Sequence, residues 1–101
     1  MNDFIVHIKR ARFDVLISRP SQWGNPFVIG DDGTRNDVLR KHKEWLDTGK
    51  SFGNKKATAE RRQWILSHVH ELKNKVLGCW CEQDEVCHGD YLIELANKES
   101  L

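Results

Sequence analysis

The sequence lacks the long apolar segment of a membrane protein and the paired cysteines of a disulfide-stabilised protein. No apolar run approaches the roughly 20 residues of a membrane span, and the first apolar stretch contains charges, unlike a secretory signal. There are three cysteines, and an odd count does not suit a disulfide framework. These absences predict a cytoplasmic protein with reduced thiols and no membrane partner.

A strong excess of charge of either sign is also missing. Sixteen Lys and Arg stand against fifteen Asp and Glu, which gives a net charge of +1. This balance argues against a nucleic-acid partner, because proteins that bind the phosphate backbone carry a clustered basic surface. It does not argue against a small anionic ligand. The 101 residues are enough for one domain and no more, and we place that domain at residues 1–101.

The spacing of apolar residues predicts three strands and three helices. The predicted strands cover residues 4–11, 14–18 and 76–81, and the predicted helices cover residues 34–49, 58–74 and the segment from 89 or 90 onward. This order indicates an α/β domain, with a small single-layer sheet of about three strands and three helices packed on it. We expect the second strand to pair with the first and the sheet to be mixed.

Several helical residues favour a structural role over a chemical one. Thr34 and Asp37 match a capping-box pair for the first helix, and Gly49 matches its C-terminal stop. His42 lies on the apolar face of that helix, which is more typical of a core histidine with satisfied hydrogen bonds than of a ligand. A basic cluster near the start of the second helix is more typical of a solvated surface. Its members are Lys55, Lys56, Arg61 and Arg62.

The first candidate segment is RPSQWGNPF, residues 19–27, a loop rich in polar and aromatic side chains. Arg19 offers a planar fork for phosphate or carboxylate, and Asn25 offers a paired donor and acceptor. Trp23 offers a flat stacking surface, and glycine permits close backbone approach. The candidate ligand-binding residues of this loop are Arg19, Ser21, Trp23, Gly24 and Asn25. A rigid loop that packs Trp23 in the core and bonds Asn25 to its own backbone is an equally good interpretation.

The second candidate segment is CWCEQDEVCHGD, residues 79–90, which runs from the end of a strand to the start of a helix. Ligand sites of α/β sheets collect at such strand ends, and a helix N-terminus presents unpaired N–H groups to anions. In a catalytic interpretation, the helix N-terminus favours the thiolate of Cys87. His88 or Asp90 would then act as the general acid or base.

Two other interpretations of the same segment stand beside the catalytic one. In the metal interpretation, three thiolates and one imidazole hold Zn²⁺, and they come from Cys79, Cys81, Cys87 and His88. The spacing departs from standard zinc motifs, and adjacent ligands are awkward to aim at one ion, so zinc is not the favoured cofactor. In the packing interpretation, the cysteines are small buried hydrophobes and Asp90 caps the last helix.

Taken together, RPSQWGNPFVIGDDGTR and KVLGCWCEQDEVCHGDYLIELAN resemble the domain of unknown function 4326 family, a group of small phage and bacterial domains. The resemblance covers residues 4–97 and implies a set of shared family residues, but it implies no activity. These residues are Arg19, Ser21, Trp23, Gly24, Asn25, Pro26, Cys81, Cys87, His88, Gly89 and Asp90. The resemblance adds Gly89 to the candidate ligand-binding residues and Asn25 to the candidate catalytic residues.

A polar and aromatic loop combined with a Cys-His-Gly-Asp turn favours a shared pocket over packing alone. We predict that the two segments meet and bind or process a nucleotide-, nucleoside- or sugar-phosphate-type ligand. The alternative is a non-enzymatic, zinc-stabilised module that docks on a host protein. A nucleic-acid accessory role is the least favoured, because of the charge. The sequence leaves open whether any reaction takes place.

Overall fold

The computed structural model describes residues 5–19, 21–80 and 87–98. Within these ranges, three α-helices and a three-stranded sheet are present. The elements are β1 (Ile5–His7), β2 (Val15–Leu16), α1 (Arg35–Thr48), α2 (Ala59–His68), a 3₁₀ helix (Val69–Leu72), β3 (Leu77–Cys79) and α3 (His88–Lys98). This architecture confirms the predicted small α/β class. None of the described helices combines the length and the apolar character that crossing a bilayer requires.

The sheet is parallel, with the strand order β1-β3-β2. Ile5 of β1 and Val15 of β2 both lie opposite Leu77 of the central strand. The predictions that β2 pairs with β1 and that the sheet is mixed are therefore wrong. All three residues of β3 are buried, so this strand takes the middle position, where both of its edges are hydrogen-bonded. Neighbouring parallel strands need a crossover of a dozen or more residues, and the link between β1 and β2 is shorter than that.

The helix boundaries follow local capping chemistry. The Thr34 hydroxyl accepts from the Asp37 N–H and the Asp37 carboxylate accepts from the Thr34 N–H, which confirms the predicted capping box. Gly49 ends α1 in a left-handed conformation with a φ of 87°. The predicted extension of α2 to Asn74 is wrong. The chain tightens into the 3₁₀ helix after His68, and Asn74 adopts a left-handed φ of 64° that no helix accommodates.

The core joins the helices to the sheet and anchors residues 19–27, which we call the first loop. Its fully buried side chains include Ile17, Trp45, Leu46, Ile65, Leu77 and Leu92. Phe27, at the end of the first loop, packs edge-on against Trp45 with ring centroids 6.3 Å apart. Trp23, in the middle of the loop, packs against Trp64 of α2 at 4.9 Å. Two aromatic contacts therefore hold the loop, and such pairs contribute about 0.5–1.5 kcal/mol each beyond burial.

Candidate ligand-binding site

A cavity of about 190 Å³ opens at the carboxyl edge of the sheet. Because β2 and β3 are parallel, the residues that follow them, Ser18 and Arg19 after β2 and Trp80 after β3, come to the same edge. Residues from the first turns of α1 and α3 complete the wall. The lining residues of the described chain are Ser18, Arg19, Asn25, Phe27, Ile29, Arg35, Val38, Leu39, Cys79, Trp80 and His88.

The lining combines cationic, polar and apolar groups. Arg19 and Arg35 both line the cavity, and no Asp or Glu belongs to its lining within the described residues. The Ser18 hydroxyl is buried and has no hydrogen-bond partner in that part of the chain. Because buried polar groups in proteins are nearly always hydrogen-bonded, this hydroxyl is available to a polar group of a ligand.

Local contacts fix the first loop beside the cavity. The Asn25 amide oxygen accepts from the Phe27 N–H at 2.9 Å, and its amide nitrogen donates to the Val38 carbonyl of α1 at 3.3 Å. At Gly24, a Cβ would lie 2.9–3.1 Å from the Cγ, N and Cα atoms of Arg19. A side chain at that position would therefore displace the Arg19 backbone. This explains why position 24 is occupied by glycine.

Arg61 of α2 also supports the first loop, through hydrogen bonds to its backbone, a role that the sequence did not predict. Its guanidinium donates to the Gly24 carbonyl at 2.7 Å and, more weakly, to the carbonyls of Ser21 and Gln22 at 3.4 Å. Burial lowers the pKa of Arg61, and the charge of Arg19 lowers this pKa further. The interpretation of Arg61 as a solvated residue is therefore wrong.

Arg62 also departs from the solvated interpretation. Its Nε donates to the Leu46 carbonyl at 3.1 Å and its Nη2 to the Asp47 carbonyl at 3.3 Å, at the C-terminal end of α1. Lys55 and Lys56 are exposed, as predicted. Arginines that bind carbonyls of distant segments have no characteristic spacing, so no sequence signal distinguishes these two from their neighbours.

Of the predicted ligand-binding residues in the first loop, the structure brings Arg19 and Asn25 to the cavity. Trp23 is buried in its contact with α2 and does not line the cavity. Ser21 keeps its hydroxyl buried without a partner among the described residues, and Gly24 packs against the Arg19 backbone. Trp23, Ser21 and Gly24 thus shape and support the loop.

Four further lining residues were not predicted from the sequence, namely Ser18, Arg35, Ile29 and Leu39. Arg35 directly follows the N-cap residue of α1, and a basic residue in the first turn of a helix near the other candidates was a usable signal. Ser18 follows the end of β2, where ligand-binding residues of parallel sheets are found. The apolar residues Ile29 and Leu39 carry no signal that separates them from core residues.

Two thiols and an imidazole lie in contact at the wall of the cavity. Cys79 Sγ is 3.3 Å from Cys87 Sγ, and Cys87 Sγ is 3.6 Å from His88 Nδ1. His88 Nε2 is 2.8 Å from the carbonyl oxygen of Ile17. Because a carbonyl only accepts hydrogen bonds, Nε2 carries a proton and donates to it, and Nδ1 faces the Cys87 thiol.

Cys87 and Asp90 cap the N-terminus of α3. Cys87 Sγ accepts from the Gly89 N–H at 3.4 Å, and the Cys87 N–H donates to a carboxylate oxygen of Asp90 at 3.0 Å. This differs from a capping box in that sulfur replaces the usual hydroxyl and accepts from the N–H two, not three, residues after the cap. A Cβ on Gly89 would lie 2.5 Å from Cδ1 of Ile17. Gly89, a predicted ligand-binding residue, therefore serves the close packing of α3 on the chain that follows β2.

The predicted catalytic residues divide between the cavity and the region behind it. Asn25 and His88 line the cavity, whereas Cys87 and Asp90 do not. Of the predicted zinc ligands, Cys81 lies outside the described residues. Within the described ranges, no group of three or more His, Cys, Asp or Glu side chains is arranged to hold a metal ion. The four-residue zinc site stays a prediction.

His42 of α1 is fully buried beside His88, with ring centroids 5.3 Å apart. Neither ring nitrogen has a hydrogen-bond partner among the described residues. Burial lowers the pKa of His42 well below its usual range, and the charges of His88 and Arg61 lower it further. His42 is the core residue that the sequence predicted, but the expectation of satisfied hydrogen bonds is wrong.

These features define a small α/β domain with a cavity at the carboxyl edge of a parallel sheet. The sequence model of the family described as "Domain of unknown function (DUF4326)" matches residues 6–98, and the chain belongs to this family. This confirms the resemblance seen in the two candidate segments.

Two curated relatives come from viruses. The chain is 30% identical over 94 residues to an uncharacterized 12.4 kDa protein in the nrdA-td intergenic region of Enterobacteria phage T4, covering 93% of the chain and 77% of that protein. It is 29% identical over 82 residues to an uncharacterized protein of Acanthamoeba polyphaga mimivirus, covering 74% of the chain and 52% of that protein. The chain thus spans about half the length of the mimiviral relative. No solved structure matches the chain.

Proposed function

We propose that the cavity binds a small phosphate-bearing ligand, of the nucleotide, nucleoside phosphate or sugar phosphate type. The observation that supports this is the lining, which contains two arginine residues, Arg19 and Arg35. Guanidinium groups form forked, charge-assisted hydrogen bonds with phosphate. The two arginines of the lining therefore favour a ligand with a negative charge.

The size of the cavity indicates which part of such a ligand it encloses. About 190 Å³ is less than the roughly 300–1,000 Å³ of pockets that enclose whole drug-sized ligands. We expect the phosphate and sugar to lie inside and any base to lie at the mouth. Trp80, which is 52% exposed and lines the cavity, offers a flat surface there. Stacking of a base on an aromatic ring contributes about 1–3 kcal/mol.

The buried hydroxyl of Ser18 supports the same proposal. It lines the cavity and lacks a partner among the described residues, so a phosphate or sugar oxygen would satisfy it. A hydrogen bond to a charged group contributes about 1.5–3 kcal/mol. Ser18 thus offers a donor inside the cavity, in addition to the two arginines.

The proposal is one of binding, and it includes no reaction. His88 lines the cavity, but its Nε2 is bound to the Ile17 carbonyl and its Nδ1 faces the Cys87 thiol. A general acid or base must reach the reacting atom of the ligand within hydrogen-bond distance. In this geometry both ring nitrogens point to protein atoms, which favours a fixed wall residue over a proton carrier.

The test is calorimetric titration of the protein with inorganic phosphate, ribose 5-phosphate, nucleoside monophosphates and the uncharged nucleosides. We expect the phosphate compounds to bind and the nucleosides to bind at least about tenfold more weakly, a difference of 1.4 kcal/mol. Arg19→Gln and Arg35→Gln should each weaken binding by about ten- to a hundredfold. Arg12→Gln, which removes an exposed arginine outside the cavity, is the matched control. Equal binding by all three variants would contradict the proposal.

A further inference from the structure

We infer that the ligand of the cavity is a nucleotide, with its base against Ile29 and Trp80, and not a sugar phosphate. This inference rests on the proposed phosphate site and narrows the class of its ligand. Within the described residues, three large apolar side chains are exposed, namely Phe13, Ile29 and Trp80. Two of the three, Ile29 and Trp80, line the cavity, and we call this pair the apolar rim.

The apolar rim lies where the cavity meets solvent. The exposed fractions of Ile29 and Trp80 are 55% and 52%, although both residues line the cavity. Exposed apolar groups that gather in one place mark binding sites, whereas scattered ones need no explanation. The same cavity is lined by Arg19 and Arg35. A nucleotide joins an anionic group to a flat, weakly polar ring system, which is the combination that this lining fits.

The third exposed apolar residue, Phe13, has a structural role. A Cβ on Gly78 would lie 2.5 Å from Cγ of Phe13, so the phenyl ring packs directly on the central strand. Phe13 does not line the cavity. Packing on β3 therefore accounts for the position of Phe13 without a ligand, and this residue supplies a control for the apolar rim.

Contacts from the end of β1 hold the indole of Trp80. The imidazole of His7 meets it edge to face, with ring centroids 5.7 Å apart and an angle of 89° between the planes. The Lys9 ammonium lies over the ring, 5.3 Å from its centroid, within the range of a cation–π contact. An aromatic side chain that is already held in place loses less conformational freedom when a ligand stacks on it.

The turn that carries Ile29 is also held in place before any ligand binds. The Asp32 carboxylate accepts from the Val28 N–H at 2.8 Å and from the Asn54 amide at 3.2 Å. The Lys41 ammonium donates to the Asp32 carbonyl at 2.7 Å. Three hydrogen bonds from separate parts of the chain thus fix a turn that presents an exposed isoleucine at the cavity.

The apolar rim favours recognition of a base by its face. Every base offers a flat face to an aromatic ring, so stacking tolerates different bases. Purines present a larger face than pyrimidines and gain more from the same contact, because apolar stabilisation grows with the area removed from water. We therefore expect all four common nucleoside monophosphates to bind, with AMP and GMP binding somewhat more tightly than CMP and UMP.

The experiment is calorimetric titration with the four nucleoside monophosphates and with ribose 5-phosphate, which has the sugar and the phosphate but no base. We expect each nucleotide to bind about five- to a hundredfold more tightly than ribose 5-phosphate, the range that stacking on an aromatic ring contributes. Trp80→Ala should remove most of this difference and leave the affinity for ribose 5-phosphate unchanged. Trp80→Phe keeps a ring and should retain part of the difference.

Two further variants test the apolar rim. Ile29→Ala should reduce the preference for nucleotides, by less than Trp80→Ala does. Phe13→Leu removes an exposed aromatic ring outside the cavity and should change neither affinity. Circular dichroism shows whether each variant folds. Where Trp80→Ala does not fold, the comparison of AMP with ribose 5-phosphate on the unsubstituted protein and on Ile29→Ala decides the outcome.

The possible failures are distinguishable. Equal binding of nucleotides and ribose 5-phosphate would overturn this inference and leave the phosphate site intact. The same conclusion would follow if Trp80→Ala weakened AMP and ribose 5-phosphate by the same factor, since the indole would then not contact the base. Binding of none of these compounds would contradict the proposed phosphate site itself, and this inference with it.

Discussion

The imidazoles of His42 and His88 meet edge to face, with ring centroids 5.3 Å apart and an angle of 84° between their planes. His42 belongs to α1 and His88 to α3, and His88 is also bound to the carbonyl of Ile17 after β2. This contact therefore joins two helices and the sheet directly beside the cavity. His88 lines the cavity and His42 lies behind it. A change in the protonation of His42 would therefore affect the shape of the site.

We predict that the stability of the fold decreases as the pH falls below about 6.5, the usual pKa of histidine. Burial, followed by the charges of His88 and Arg61, holds the pKa of His42 well below that value in the fold. Below pH 6.5 the unfolded chain therefore binds a proton that the fold rejects, at a cost of up to about 1.4 kcal/mol per pH unit. This contribution ends once the pH falls below the folded pKa.

Urea unfolding at pH 7.5, 6 and 5 measures this effect. His42→Leu should flatten the dependence on pH, because leucine binds no proton in either state. His70→Gln is the control, since His70 is exposed on the 3₁₀ helix. If His42→Leu and the unsubstituted protein lose the same stability between pH 7.5 and 5, His42 is not the cause.

Substitution of the two buried serines beside the cavity should distinguish an effect on the stability of the fold from an effect on ligand binding. Ser18 and Ser21 both keep a buried hydroxyl without a partner among the described residues, but only Ser18 lines the cavity. Removing an unsatisfied buried hydroxyl raises stability by up to about 1 kcal/mol, equivalent to roughly 4–8 °C in Tm for a domain of this size. Ser18→Ala and Ser21→Ala should therefore both retain or raise the Tm.

Binding of inorganic phosphate distinguishes the same two variants. Ser18→Ala should weaken it about ten- to a hundredfold, because the loss of a hydrogen bond to a charged group costs about 1.5–3 kcal/mol. Ser21→Ala should leave the affinity unchanged. Equal losses in the two variants would show that the Ser18 hydroxyl does not contact the ligand.

Arg61 should contribute to stability through the first loop. Arg61→Ala leaves the carbonyl of Gly24, which accepts at 2.7 Å, without its donor, and we expect a loss of about 1.5–3 kcal/mol in the free energy of unfolding. Arg61→Lys keeps the charge but not the fork that reaches several carbonyls, so it should recover only part of the loss. Gln63→Ala, at an exposed position of the same helix, is the control. A loss in Gln63→Ala as large as in Arg61→Ala would show that the hydrogen bonds of Arg61 to the first loop are not the cause.

Asp90 should behave as a cap and not as a ligand contact. Its carboxylate accepts from the Cys87 N–H at 3.0 Å and does not line the cavity. Asp90→Ala should cost about 0.5–2 kcal/mol of stability, as the loss of a cap does, whereas Asp90→Asn keeps an acceptor and most of that stability. Both variants should bind phosphate with unchanged affinity, as should the control Glu94→Gln. A loss of binding in Asp90→Asn without a change in Tm would place Asp90 in the ligand site.

Local chemistry made the helix starts predictable from the sequence. Thr34 and Asp37 bond to each other across three residues, and the Gly49 N–H bonds to the Trp45 carbonyl four residues earlier, so each end of α1 is defined by local contacts. The end of α2 was harder to predict, because the left-handed backbone of Asn74 is a property of one residue that the pattern of apolar residues does not indicate.

Long-range contacts could not be predicted from the sequence for a different reason. Strand pairing joins Ile5 and Val15 to Leu77, and no pattern within either segment specifies its partner. Arg61 reaches a loop almost forty residues earlier in the chain. Arg19 and Asn25 were found because unusual residue types stand close together in the sequence. Arg35 and the Ser18 hydroxyl become recognisable only when the cavity brings them together.

The position of β3 determines when the domain assembles. Both other strands pair only with β3 among the described strands, yet β3 follows them by about sixty residues. On the ribosome, β1 and β2 have therefore emerged long before the backbone that can bond to them has been synthesised. During that interval α1 and α2 have all the backbone partners that they need, although helices of this length are marginal without tertiary packing. The edge strands can therefore join the sheet only at a late stage, when β3 also brings Cys79 to the wall of the cavity.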